Sequence, residues 1–248
     1  MSLQVYGESD IGFARRCNED AIAWYQATNG HNTVAVLADG IGGSKGGDVA
    51  SQKAVDVCIN ILSPLTEHEA LDITELIEAL NTSVTEANRQ IRVARNSDNE
   101  LSRMGTTLLI VWMQGDQAFV ANIGDSRCYR LSSDAARQVT RDDTVAQAMV
   151  DDGSITEKEI SRVPFRNVLT KALGTEPDVR AEIQQIFLKP SESLLLCSDG
   201  LTGAVNSESW PSILAQQKTL KQQVESLIDE SLNNKADDNV SIIMMTRQ

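Results

Sequence analysis

Four aspartates stand at the boundaries of apolar runs. Asp39 closes Val34–Ala38, Asp125 follows Gln117–Ile123, Asp199 follows Leu194–Cys197, and Asp238 precedes Val240–Met245. Asp39, Asp125 and Asp199 each neighbour a glycine, so little side-chain bulk stands between the backbone and a bound group. One such aspartate means little. Four of them, in a domain of stacked strands, would line one edge of a sheet sandwich with carboxylates. Carboxylates gathered in this way raise one another's pKa unless a cation neutralises them. A dinuclear Mg²⁺ or Mn²⁺ site answers that arrangement, with water as the nucleophile and an anionic substrate for Arg15 to grip. The only histidines, His31 and His68, lie in polar, loop-like stretches, and the four cysteines, Cys17, Cys58, Cys128 and Cys197, form no CxxC pair. A His-rich or Cys-based zinc site is thereby excluded. Any metal is bound by oxygen, and no Cys or His is placed as a covalent nucleophile.

The stretch Val34–Gly47 is the densest in such features. Five of the eight residues after Asp39 are glycine, and Gly47–Leu62 reads as a helix. A carboxylate, an open loop and a helix N-terminus together suit a metal, a phosphate or both. Taken alone, the stretch is equally a plain strand–turn–helix connection. Upstream, Arg15-Arg16-Cys17-Asn18-Glu19-Asp20 heads the strand-like Ala21–Tyr25. By itself this cluster reads as a solvated turn with surface ion pairs. The polar loop 26–32 joins Ala21–Tyr25 to Val34–Ala38 as a hairpin, and hairpin pairing brings Glu19 and Asp20 close to Asp39.

The remaining elements follow from periodicity. Ala50, Ala54, Val57 and Ile61 mark one face of the first helix, and Leu76, Ile77, Leu80, Val84, Ala87 and Ile91 mark a long second helix over Ile73–Arg95. Thr106–Met113, Gln117–Ile123 and Ser126–Leu131 read as an antiparallel meander with a hairpin at Gly115-Asp116. Residues 141–178 carry no strand, and Thr144–Asp152 and Thr156–Arg162 read as short helices. A stretch of this length is a mobile flap over a site or a long connection. Ala181–Phe187 and Ser193–Cys197 are strands, Glu208–Gln216 and Leu220–Asn233 helices, and Val240–Met245 the last strand.

At 248 residues and 41% hydrophobic content, the chain can form one large domain or two small ones. No linker, repeat or low-complexity tract divides it, so a single domain over 1–248 is expected. The net charge of −13, with no Lys/Arg block, argues against nucleic acid or an anionic membrane as partner. No apolar run approaches 18 residues, no signal peptide is evident, and scattered cysteines suit a reduced, cytoplasmic protein.

Seven stretches, in order, resemble the metal-dependent protein phosphatase 2C (PPM) family of serine/threonine protein phosphatases, its bacterial branch above all. They are Ser9-Asp10-Ile11-Gly12 with Arg15 and Asn18-Glu19-Asp20; Asp39-Gly40-Ile41-Gly42-Gly43 with Gly47-Asp48-Val49-Ala50-Ser51; Met104-Gly105-Thr106-Thr107; Gly124-Asp125-Ser126-Arg127; Asn167–Gly174; Ser198-Asp199-Gly200-Leu201; and Asp238-Asn239-Val240. Any one is weak, but seven in order over nearly the whole chain are specific. The resemblance implies an α+β fold, a four-layer α-β-β-α sandwich of two antiparallel sheets flanked by helices. It implies two Mn²⁺ or Mg²⁺ ions per chain, with Asp39 bridging them, the Gly40 carbonyl on one, and Asp199 and Asp238 on the other. Glu19 and Asp20 would act through waters, Asp125 would help to hold a third, weaker ion, and Arg15 would bind the substrate phosphate. The implied reaction is in-line attack of a metal-bridging hydroxide on phosphoserine or phosphothreonine. Residues 142–178 would hold the family's variable flap. The implied partners are phosphorylated proteins, substrates of a serine/threonine kinase, and the chain would act as a monomer. A phosphatase dedicated to one phosphorylated regulator, and a non-catalytic scaffold, are the competing readings; the retained Asp39, Asp199 and Asp238 argue against the scaffold.

Four positions depart from the family's habit. Ile41 stands where many eukaryotic members carry a histidine taken as general acid, Ser44 and Asp143 where histidine is frequent, and Asp48 where glutamate is usual. None removes a ligand, but the general acid is left unassigned. Cys17 and Cys197 flank two of the motifs and read as buried, inert thiols.

Overall fold

The computed structural model describes residues 3–42, 46–68, 71–217 and 219–247. Gly43 and Ser44, named above, lie outside the described residues. The strands are β1 (Leu3–Asp10), β2 (Asp20–Gln26), β3 (Asn32–Ile41), β4 (Gly105–Thr106), β5 (Leu108–Gln114), β6 (Gln117–Ile123), β7 (Arg127–Leu131), β8 (Ala136–Gln138), β9 (Glu182–Phe187), β10 (Ser193–Cys197) and β11 (Val240–Arg247). The α-helices are α1 (Gly47–Thr66), α2 (Ile73–Ser97), α3 (Val145–Asp151), α4 (Asp199–Ala204), α5 (Trp210–Leu214) and α6 (Leu220–Asn233).

Two antiparallel sheets stack face to face. One runs β1-β11-β10-β7-β8, the other β2-β3-β5-β6-β9 with β4 added to the end of β3. Alternation along each strand feeds separate cores. In β3, Val34, Val36 and Ala38 point to α1 and α2, while Ala35 and Leu37 point between the sheets, where Leu109, Val111, Leu196 and Ile243 meet them. The far face of the first sheet packs Leu195, Ile242 and Met244 against Trp210, Val224 and Leu227 of α5 and α6. The layers are therefore helix, sheet, sheet, helix, the α-β-β-α sandwich expected. At about 25 cal/mol per Å² of apolar surface, these three cores are the main drive for folding.

Three boundaries differ from expectation for local reasons. The first helix continues past Leu62 to Thr66 with Pro64 inside its last turn. There the proline forfeits one backbone bond only, and the Asn32 amide caps the Thr66 carbonyl at 3.0 Å. Strand β3 does not stop at Asp39: Gly40 and Ile41 pair with Thr106 and Gly105. The short β8, and α4 opening at Asp199, have too few residues to show a period. The Asp72 side chain and Glu75 form a capping box that starts α2. Residues 157–162 form the second of the expected short helices, of 3-10 type, and no strand occurs between 141 and 178 among the described residues. No helix is long and apolar enough to cross a membrane, among the described residues.

Candidate active site

The hairpin of β2 and β3 sets Asp20 directly opposite Asp39 in the ladder. At Asp39 the chain is held from the other side by Thr107. The Asp39 amide donates to the Thr107 hydroxyl at 2.9 Å, and the Thr107 amide and Thr106 hydroxyl both donate to the Asp39 carbonyl at 2.9 Å. The Thr107 hydroxyl also shares a 2.7 Å hydrogen bond with Ser126, beside Asp125. Ser198, the residue before α4, donates from its hydroxyl to Asp20 Oδ2 at 2.7 Å. Asn239 spans the chain's extremes through its side chain: Oδ1 accepts from the Glu19 backbone amide at 2.8 Å, and Nδ2 donates to the backbone carbonyls of Ile11 and Cys17 at 2.8 and 3.0 Å. Four segments far apart in sequence thus place Glu19, Asp20, Asp39, Asp125, Asp199 and Asp238 on one end of the sandwich, all half-buried.

Arg15 lies over this end. Its Nη2 is 2.5 Å from Asp238 Oδ2, and its Nη1 is 4.0 Å from Glu19. The guanidinium lines a cleft of about 1450 Å³ that also reaches Asp125, Asp199 and Asp238 and runs on to Arg166 and Glu182. Asp20, Asp39 and Glu19 do not line it.

The carboxylates carry the cost of this gathering. Burial, then the charges of Asp20, Asp199, Asp125 and Asp238, push the Asp39 carboxyl well above its ordinary range. Burial pushes Asp20 up to about 6 against the hydroxyls of Ser241 and Ser198. It raises Asp199, aided by the charge of Asp238, to about 6, and Asp125, aided by Asp199 and Asp142, to about 7. Glu19 rises by burial although Arg15 opposes it. These groups hold protons in the folded chain that the unfolded chain has released above about pH 4. Their contribution to stability is therefore complete below that pH and is lost as pH rises toward 7. The metal-free protein should melt higher at pH 5 than at pH 7.5, by roughly 5 °C on a scale of about 2–4 °C per kcal/mol. Mn²⁺ should remove most of that difference; differential scanning calorimetry at the two pH values, with and without the ion, checks both statements.

Among the described residues, no three Asp, Glu, His or Cys side chains are already drawn together tightly enough to hold an ion. The donor set nonetheless fits a divalent cation. Asp199 Oδ1 is buried and accepts no hydrogen bond, which a buried carboxylate oxygen rarely tolerates without a ligand. Asp238 is turned to Arg15 and Asp20 to Ser198, so those two acids would exchange or share partners on binding a metal.

The protein phosphatase 2C family model matches residues 14–237. The chain belongs to the protein phosphatase 2C family. It is 33% identical to a serine/threonine phosphatase of Listeria innocua over 96% of this chain and 94% of that one. The structure of the S. agalactiae serine/threonine phosphatase superposes with a TM-score of 0.90 at 26% identity, covering 99% of this chain and 100% of that chain. The catalytic domain of the phosphatase PstP, in complex with two manganese ions, superposes at 0.83 with 29% identity, covering 98% and 97%. This chain thus shares the 2C fold from end to end.

Of the site residues expected from the sequence, the fold brings all eight, Arg15, Glu19, Asp20, Asp39, Gly40, Asp125, Asp199 and Asp238, to the same end. Roles for Thr107, Ser198 and Asn239 were not legible, although each stands inside a 2C motif; their service is to hold backbone and acids. Arg127 was also missed. It clamps Asp142 through Nε and Nη2, at 2.9 and 2.6 Å for the shorter contacts, so the Asp125 turn is tied to the start of the 142–178 segment. Asp143, at a position noted for departing from the family's habit, accepts from the Gly124 amide at 3.1 Å and pairs with Lys171 at 2.8 Å. Cys197 is buried, as expected, but Cys17 is exposed, because its loop lies outside both sheets.

Proposed function

We propose that the carboxylate end of the sandwich is the place where this chain removes phosphate from phosphoserine and phosphothreonine. The chain is a metal-dependent protein phosphatase, and its substrates are phosphorylated proteins. The observation that carries the assignment of the site is the gathering of five half-buried aspartates, four of which (Asp20, Asp39, Asp125 and Asp199) have their carboxyl pKa raised by burial and by one another, with one buried Asp199 oxygen left unpartnered. Asp39 and the Gly40 carbonyl would hold one ion, and Asp39, Asp199 and Asp238 the other. Glu19 and Asp20 would act through waters and Asp125 on a third, weaker ion. Two manganese ions in the PstP catalytic domain support Mn²⁺ at these positions, and oxygen ligands accept Mg²⁺ as well. The chemistry such ions supply is the acidification of a water and the neutralisation of phosphate charge.

The protein's own part is to position. Asp39 is fixed through its backbone by Thr107, Asp20 through its side chain by Ser198. Arg15, its side chain 45% exposed and paired with Asp238, would offer two N–H groups to a phosphate oxygen pair. Ile41 has no proton to give, so the leaving oxygen would take its proton from water or from another group of the site. The chain works as one phosphatase domain with 142–178 as a flap beside the cleft, and it opposes a serine/threonine kinase as a cytoplasmic monomer.

The test is hydrolysis of a phosphothreonine peptide by chelator-treated protein with Mn²⁺ or Mg²⁺ titrated back. Turnover that rises from background by about a hundredfold or more with either ion is expected. Full activity in the chelated protein would overturn the assignment.

A further inference from the structure

Three of the four phenylalanines in this chain are exposed. Phe13, Phe165 and Phe187 show 68%, 51% and 58% of their surface, and only Phe119 is buried, at 1%. Phenylalanine is ordinarily a core residue, and two of these three, Phe13 and Phe165, stand at the rim of the cleft, within two residues of side chains that line it though not themselves part of its lining. Phe13 is two residues before Arg15, and Phe165 precedes Arg166 and Asn167 on the facing flap. Phe187 ends β9 opposite Gln117, three residues past Gln184 and on the opposite face of the strand from Glu182 and Gln184, which line the cleft.

Both aromatic positions are held firmly. The Phe13 amide donates to the Ala236 carbonyl at 2.8 Å, and the Gly12 amide to Asp10 Oδ1 at 2.8 Å. Gly12 has φ +76°, and a β-carbon there would lie 2.0 Å from the Asp238 carbonyl oxygen, so this loop sits tightly on the Asp238 turn. Lys235 Nζ stands 6.0 Å from the Phe13 ring centroid. On the flap, the Val168 amide donates to the Phe165 carbonyl at 3.1 Å, and Val168 in turn accepts from Val145, the first residue of α3. Val168 is itself 52% exposed. With the backbone at each position already ordered, an apolar partner that meets these rings pays only for side-chain ordering.

We infer that Phe13 and Phe165 are specificity-determining residues that receive apolar side chains flanking the phosphoresidue of a protein substrate, one from each bank of the cleft. The inference rests on the site assigned above: the occupant is the phosphoprotein itself, continuous with the phosphate held at Arg15. An apolar contact of this size discriminates by about 10- to 200-fold.

The test compares three substrates with the Mn²⁺-loaded full chain: a phosphothreonine peptide with leucines on both sides of the phosphoresidue, the same peptide with serines there, and p-nitrophenyl phosphate, which has no flanks. The wild type should prefer the leucine peptide by about tenfold in kcat/KM. Phe13→Ala and Phe165→Ala should each lower kcat/KM on that peptide about five- to tenfold, chiefly through KM. Each should flatten the preference and stay within about twofold of wild type on p-nitrophenyl phosphate. Phe187→Ala, similarly exposed but on the face of β9 turned from the cleft, should change nothing. A wild type that hydrolyses all three without preference, or variants that lose activity equally on p-nitrophenyl phosphate, overturns the inference while leaving the site intact. A wild type inactive on every substrate overturns the site and the inference together.

Discussion

Asp39→Asn is expected to lower kcat on a phosphothreonine peptide by at least about a thousandfold, some 4 kcal/mol of barrier, while making the metal-free protein more stable. The two effects have one cause. The Asp39 carboxylate is desolvated and faces the charges of Asp20, Asp199, Asp125 and Asp238, so a neutral, isosteric amide relieves repulsion wherever no cation is present. At the proposed two-ion centre the same amide would be a poor ligand in place of the carboxylate. Misfolding would lower activity and melting temperature together. Loss of activity beside a rise of a few degrees in the chelated protein, with little further rise on adding Mn²⁺, separates the two. An Asn variant with near-normal turnover would show that another acid organises the centre.

Gly40→Ala should be severely damaging. A β-carbon on Gly40 would lie 2.2 Å from the Gly47 carbonyl oxygen, 2.4 Å from its carbon and 2.6 Å from the Glu19 carbonyl oxygen. All three are backbone atoms, so no rotamer can make room. Strand β3 and the first turn of α1 must part, and the Gly40 carbonyl with them. A loss of about 3–5 kcal/mol follows, seen as a fall of about 10 °C or more in melting temperature and loss of metal-dependent activity. Gly203→Ala is the matched control. It lies in α4 with nothing within 4 Å of the added carbon and should be neutral or slightly stabilising. Equal behaviour of the two variants would refute the packing argument.

Much of this could be read before any coordinates, and the reason is periodicity. The apolar run Val34–Ala38, the faces of α1 and α2, and the Gly115 hairpin are local signals, and each is recovered within a few residues. The pairing of Asp20 with Asp39 followed from hairpin logic alone. What could not be read is what depends on long-range register. The ladder of Gly40 and Ile41 with β4 needs Thr107, 67 residues after Gly40, to interrupt one strand and support another. Thr107, Ser198 and Asn239 act as supports because of where the sheets bring them, and nothing in their immediate neighbours announces it. The Arg127–Asp142 clamp joins two charges that in sequence look like ordinary surface residues. The exposure of Phe13 and Phe165 is likewise a property of placement, since their composition reads as core.

The order of strands in the first sheet bears on how the chain reaches this state. Strand β11 lies between β1 and β10, so the strand latest in sequence is an interior one, and its eight residues pair with the earliest strand from Leu3↔Arg247 to Asp10↔Val240. Neither half of that sheet can close without it, and Asn239, which secures Glu19, arrives with it. Such pairing across more than two hundred residues makes for slow, cooperative folding. Catalytic competence must therefore be among the last properties the chain acquires, gained in a single closing event rather than accumulated as the parts assemble.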